Sequence, residues 1–116
     1  MDHFSLLTDI DIFLLQCKTM CQNLHEPYSG EFDFEGILDV AKFIELAATM
    51  DLLVIFRPGP YICAEWEWGG HPYWLLHDPN MAVRTTYAGY TSAVTRYFNE
   101  LFGECYLLLQ LTLQPR

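Results

Sequence analysis

The chain has 116 residues, of which 52% are hydrophobic and 18% charged, and its 15 acidic against 6 basic side chains give a formal charge of -9. That length allows one small domain, and the apolar fraction excludes a disordered tail. The scattered Lys and Arg exclude the basic patch that a nucleic acid needs, and no run approaches the ~20 apolar residues of a membrane-spanning helix.

The first residues, "MDHFSLLTDIDIFLLQC", lack a basic n-region and carry Asp9 and Asp11 among their apolar positions, so they read as a poor secretory signal. Asp11 to Cys17 is compatible with a short strand, although the pattern alone fits a helix as well. Cys17, Cys21 and His25 are spaced to line one face of a helix. A structural zinc site wants a fourth ligand, however, and none follows at a suitable spacing, so no metal or cofactor is expected. The four cysteines are too sparse and irregular for a disulfide framework.

The segment "NLHEPYSGEFDFEG" has turn chemistry at Pro27, Ser29 and Gly30, with Phe32 and Phe34 between acids; it predicts a loop that covers something apolar. From Ile37 the apolar residues Ile37, Val40, Ala41, Ile44, Ala47 and Ala48 recur at three and four residues, which predicts an amphipathic helix to about Met50. Leu52 to Phe56 is apolar at every position, as in a parallel strand buried on both faces. After a turn-rich loop, "PYWLLHDP" has room for one short helical turn. A second helix is expected with Thr85 or Thr86 as its N-cap, Tyr87, Tyr90, Val94, Tyr97, Phe98 and Leu101 on its apolar face, and Gly103 as its stop. "YLLLQLTL" reads as a third strand or as a frayed extension. Alternation of strand, helix, strand, helix predicts an α/β fold with a parallel sheet, whose chemistry gathers in loops at the carboxyl ends of strands.

One such loop is "RPGPYICAEWEWGGHP", Arg57 to Pro72. If "AEWEW" is extended, Glu65 and Glu67 point one way and Trp66 and Trp68 the other. Carboxylates beside aromatic rings suit a sugar, whose hydroxyls donate to a carboxylate while its C–H face lies on a ring. The plain alternative is a solvated acidic loop with Arg57 paired to Glu65. Two Glu on one strand face cannot flank a glycosidic bond, as the carboxyls of a retaining glycosidase must. Neither a phosphate-binding Gly loop nor a G-x-S-x-G turn is present, and Cys63 reads better as a buried thiol than as a nucleophile paired with His71 or His77.

The stretch "RPGPYICAEWEWGGHPYWLL", with "HEPYSGEFDFEG", "LDVAKFIELAATMDLLVIF" and "NMAVRT", resembles glycoside hydrolase family 35, the β-galactosidases, from Asn23 to Phe102. The resemblance implies retaining hydrolysis of terminal β-linked galactose on a (β/α)8 TIM barrel, a lysosomal or extracellular location, and homo-oligomeric full-length enzyme. On the matching positions it implies that Cys63, Ala64 and Glu65 line the galactose pocket and bind substrate, with Glu65 gripping sugar hydroxyls, while His25, Glu26 and Pro27 are architectural. Residues 1–22 and 103–116 depart from the family pattern. The family reads Thr-Tyr before the motif at Asn23 to Pro27, and that Tyr contacts sugar; here Thr19 stands at the corresponding place, followed by Met20. The Asn-Glu pair that supplies the acid/base and the later Glu nucleophile are not matched. Because such a barrel takes ~250 residues, the expectation is about two to three N-terminal strand–helix units with the barrel not closed, and a polypeptide inactive by itself. The alternatives are a non-catalytic galactose-binding or interaction piece, and a misjoined reading frame whose product does not fold.

Overall fold

The computed structural model describes residues 15–112, with side chains from 20 to 106. Strand β1 is Leu15–Thr19, and helix α1 is the single turn Gln22–His25. A 3-10 turn at Gly36–Leu38 leads into α2, Val40–Thr49; strand β2 is Leu53–Arg57. Two further 3-10 segments, Glu67–Gly70 and Tyr73–His77, precede the long helix α3, Ala88–Thr112. The two strands pair in parallel, Leu15 opposite Leu53 and Thr19 opposite Arg57, and the Met20 N–H extends the ladder to the Arg57 carbonyl at 3.0 Å. Parallel neighbours joined through a helix make this an α/β arrangement, and no closed barrel exists among the described residues. The expected strand from Asp11 lies partly outside the described residues; where it is described, it is a strand.

Helix α2 begins later than the periodicity suggests, because the Asp39 carboxylate accepts from the Lys42 N–H at 2.8 Å and so caps the helix at that point. Its other end is a Schellman turn on a non-glycine residue. Asp51 has φ 54, the Asp51 N–H reaches the Ala48 carbonyl at 3.2 Å, and the Leu52 N–H reaches that of Ala47 at 2.9 Å. This turn drops the chain directly into β2.

The core is built from Met20, Val40, Tyr97, Leu101 and Cys105, and Phe32, Phe34, Ile44, Phe56 and Phe98 pack on it. The loop of Phe32 and Phe34 thus covers apolar surface, as its alternation suggested. Strand β2 differs from expectation. Val54 and Phe56 turn toward the core, but Leu53 and Ile55 are about half exposed, because helices cover one face only among the described residues. Gly103 does not stop α3. Its φ is not left-handed, a Cβ there would meet nothing within 4 Å, and the Leu and Gln residues that follow favour helix, so the proposed third strand is helical to Thr112. The Tyr87 N–H binds Thr85 Oγ at 3.2 Å, and the helix starts just beyond, at Ala88.

Candidate functional site

The loop that follows β2 is set by close backbone approach at both ends. Gly59 has φ +79, and a Cβ there would lie 2.8 Å from the Met20 carbonyl oxygen, so only glycine lets the loop leave β2 so near the end of β1. The Tyr97 hydroxyl, from α3, donates to the Pro58 carbonyl at 3.1 Å and ties this exit to the core helix. Further on, the Ile62 N–H donates to the Gly69 carbonyl at 2.7 Å and closes a small ring of chain. Trp68, Gly69 and Gly70 all have positive φ, at 47, 60 and 81, which reverses the backbone within three residues. The condition that "AEWEW" be extended is therefore not met. The Trp66 N–H folds back to the Ala64 carbonyl at 2.7 Å, and Glu67 opens a 3-10 turn.

The buried side of this ring is Ile62 with Gly69, Gly70, His71 and Pro72; its exposed side is Cys63 to Glu67. Tyr61 packs on Gly69, so close that a Cβ on Gly69 would collide with the ring, and the Arg84 guanidinium covers Tyr61 at 4.0 Å. The tip is thus braced from behind while Cys63, Ala64 and Glu65 face solvent together.

The two glutamates have different surroundings. Glu67 accepts a hydrogen bond from the Tyr73 hydroxyl, whose own ionisation is pushed up first by that bond. The Glu65 carboxylate is exposed and has no hydrogen bond or ion pair among the described residues; Arg57 does not pair with it. Beside it the Trp66 indole is 45% exposed. A free carboxylate next to an open aromatic face can accept from ring hydroxyls and stack on a C–H face.

Of the His25, Glu26 and Pro27 motif, the first two are buried inside the fold and Pro27 is exposed. Glu26 is fully buried, and its Oε1 accepts from Arg96 Nε at 3.0 Å, Arg96 Nη2 at 2.7 Å and the Gly30 N–H at 3.0 Å. Its Oε2 accepts from Gln22 at 2.9 Å, and its backbone carbonyl accepts from the Trp74 indole at 3.0 Å. One residue therefore joins the loop after β1, the segment after the ring closed by Ile62 and Gly69, and helix α3. Nothing in the local sequence announced Arg96, which lies 70 positions away on α3.

Other candidates separate in space. Cys17 lies in β1 and not on a helix with Cys21 and His25, and the described residues contain no group of three His, Cys, Asp or Glu fit for a metal ion. Cys63 is exposed, not the buried thiol expected, while His71 is buried with both ring nitrogens unpartnered among the described residues, so the two do not form a nucleophile pair. No described helix is long and apolar enough to cross a membrane.

A family model described as glycosyl hydrolases family 35 matches residues 19–112. The chain belongs to family 35. Among curated proteins, beta-galactosidase-1-like protein 2 of Homo sapiens is 58% identical over 81 residues, covering 70% of this chain and 13% of that protein. Beta-galactosidase-1-like protein of Mus musculus is 48% identical over 87 residues, 75% of this chain and 14% of its own length. Beta-galactosidase of Mus musculus is 46% identical over 87 residues, again 75% of this chain and 13% of its own. The chain thus spans a small part of each family 35 relative.

Proposed function

We propose that this family 35 segment forms one wall of a galactoside pocket and serves the hydrolysis of terminal β-linked galactose. Cys63 and Ala64 line the wall, and Glu65 accepts hydrogen bonds from sugar hydroxyls. The observation that carries this reading is the free, exposed Glu65 carboxylate beside the open Trp66 face, on a tip braced from behind. The wall does not contain the reaction's chemistry. A retaining mechanism needs two carboxyls ~5–5.5 Å apart on either side of the bond, whereas Glu67 is held by Tyr73 and shares one short loop with Glu65. The half-exposed Leu53 and Ile55, and the edge of β2 unpaired among the described residues, support reading the fold as two to three strand–helix units of an eight-stranded barrel. By resemblance, the compartment is lysosomal or extracellular and the full-length enzyme assembles with copies of itself.

The test is galactose titration of the 116-residue polypeptide, followed by heteronuclear NMR. Saturable shifts at residues 63–66, with Kd of about millimolar order for so partial a site, are expected. Glu65→Gln is expected to weaken binding at least tenfold and Glu67→Gln to leave it within twofold. Equal losses in the two variants would overturn the assignment to Glu65. A chromogenic β-galactoside is expected not to be turned over, and turnover abolished by Glu65→Gln would overturn the non-catalytic role.

A further inference from the structure

Behind the sugar-facing tip lies a ring cluster that the proposed binding does not use. His71 is 1% exposed, and neither ring nitrogen has a hydrogen-bond partner among the described residues. Tyr61, Trp68 and Tyr90 surround it, with ring centroids 5.8, 5.6 and 5.5 Å away, and the last two meet it edge-on. The titratable and charged groups around it come from each neighbouring element. Tyr61 belongs to the loop and Tyr90 to α3, and Arg84 from the approach to α3 lies over Tyr61. The Cys21 side chain, at the start of α1, packs against the adjacent Gly70. On the segment's own side Glu67 is directed to Tyr73. Glu67 is thus engaged elsewhere, and among these groups the one charge acting on the imidazole is the Arg84 cation.

A neutral imidazole fits this place as a flat ring among rings. An imidazolium does not: it would carry two N–H donors with no acceptor into a desolvated space and face a like charge. We propose that His71 is a proton-operated latch, which when neutral forms the floor under the ring Ile62–Gly69 and when protonated leaves that floor and lets the ring open. Burial, and after it the Arg84 charge, hold its pKa below the ordinary 6.5. A folded value below the unfolded one means that the folded state binds fewer protons in the interval between them. The floor's contribution is therefore complete above pH 6.5 and is lost as pH falls from there through the folded value. Each unit of separation weakens the latched form about tenfold at pH values below both.

This inference does not depend on the sugar assignment, and its test needs no sugar. The His71 ring of the wild-type 116-residue chain, assigned through its backbone, is followed by NMR from pH 8 to pH 4 while near-UV circular dichroism reports the cluster. The ring is expected to titrate below 6.5, with the aromatic signal falling in step. In His71→Leu the acid-side fall in thermal midpoint is expected to shrink to less than half. A wild-type ring titrating at 6.5 or above overturns the proposal, whether the chain is folded or not, and it does so without the variant. An acid-side fall that is unchanged in His71→Leu overturns it as well.

Discussion

Replacing Arg96 by Met tests the central tie of the fold. The substitution keeps the apolar stem and removes the guanidinium from a fully buried Glu26. Breaking a buried ion pair by removing one partner costs about 3–5 kcal/mol, because the remaining charge is left without compensation. Two features reduce that figure here. Glu26 keeps its bonds from Gln22 and from the Gly30 N–H, and Arg96 is itself 42% exposed, so water reaches the vacated side. About 2–3 kcal/mol remains, a large share of the ~5–15 kcal/mol that holds a small domain. At a urea slope of about 1–3 kcal/mol/M the unfolding midpoint should fall by about 0.7–3 M. The double variant Glu26→Gln with Arg96→Met removes the stranded charge and should recover at least ~1 kcal/mol over Arg96→Met alone. Urea unfolding followed by circular dichroism measures Arg96→Met, Glu26→Gln and the double variant. An Arg96→Met midpoint equal to wild type, or strictly additive variants, would refute the reasoning that Glu26 is an organising residue.

Gly69→Ala should destabilise by more than ~2 kcal/mol, since it adds left-handed strain to a collision with the Tyr61 ring; thermal unfolding and tryptophan emission report it. Gly103→Ala should stabilise by about 0.5–1 kcal/mol, because it lies inside α3 with open space where a Cβ would stand. Tyr97→Phe should lose about 1 kcal/mol with the hydrogen bond to the Pro58 carbonyl, read from the same urea curves. Burial above all raises the Tyr97 pKa above its ordinary 10, so its contribution is complete below pH 10 and lost as pH climbs beyond. The alkaline decline of wild type should accordingly be shallower in Tyr97→Phe.

Periodicity made α2 and the first half of α3 legible, since Val40, Ala47, Tyr90, Tyr97 and Leu101 are buried where three-and-four spacing puts them. It stopped short at Gly103, because a glycine ends a helix only when its backbone turns left-handed, and local sequence does not decide that. The strand Leu52 to Phe56 was legible as a strand but not in its exposure, which depends on elements distant in the chain. The exposed tip at Cys63 to Glu67 stood out by residue type, but its shape was not legible. Alternation of Glu and Trp suggested an extended segment, while the positive φ values at Trp68, Gly69 and Gly70 fold it into a closed ring. What separates Glu65 from Glu67 is Tyr73, and what commits Glu26 is Arg96; both are tertiary facts with no local signature.

The ring closed by Ile62 and Gly69 divides labour between neighbouring positions. Its inward residues answer to packing, and a change at any of them is felt by the whole domain. Cys63, Ala64 and Glu65 touch little besides solvent, so a lineage could vary them without loss of foldedness. Under the proposed pocket role, ligand preference can therefore drift under selection while the architecture stays still, and variation confined to those three places would signal a changed ligand, not a failing scaffold.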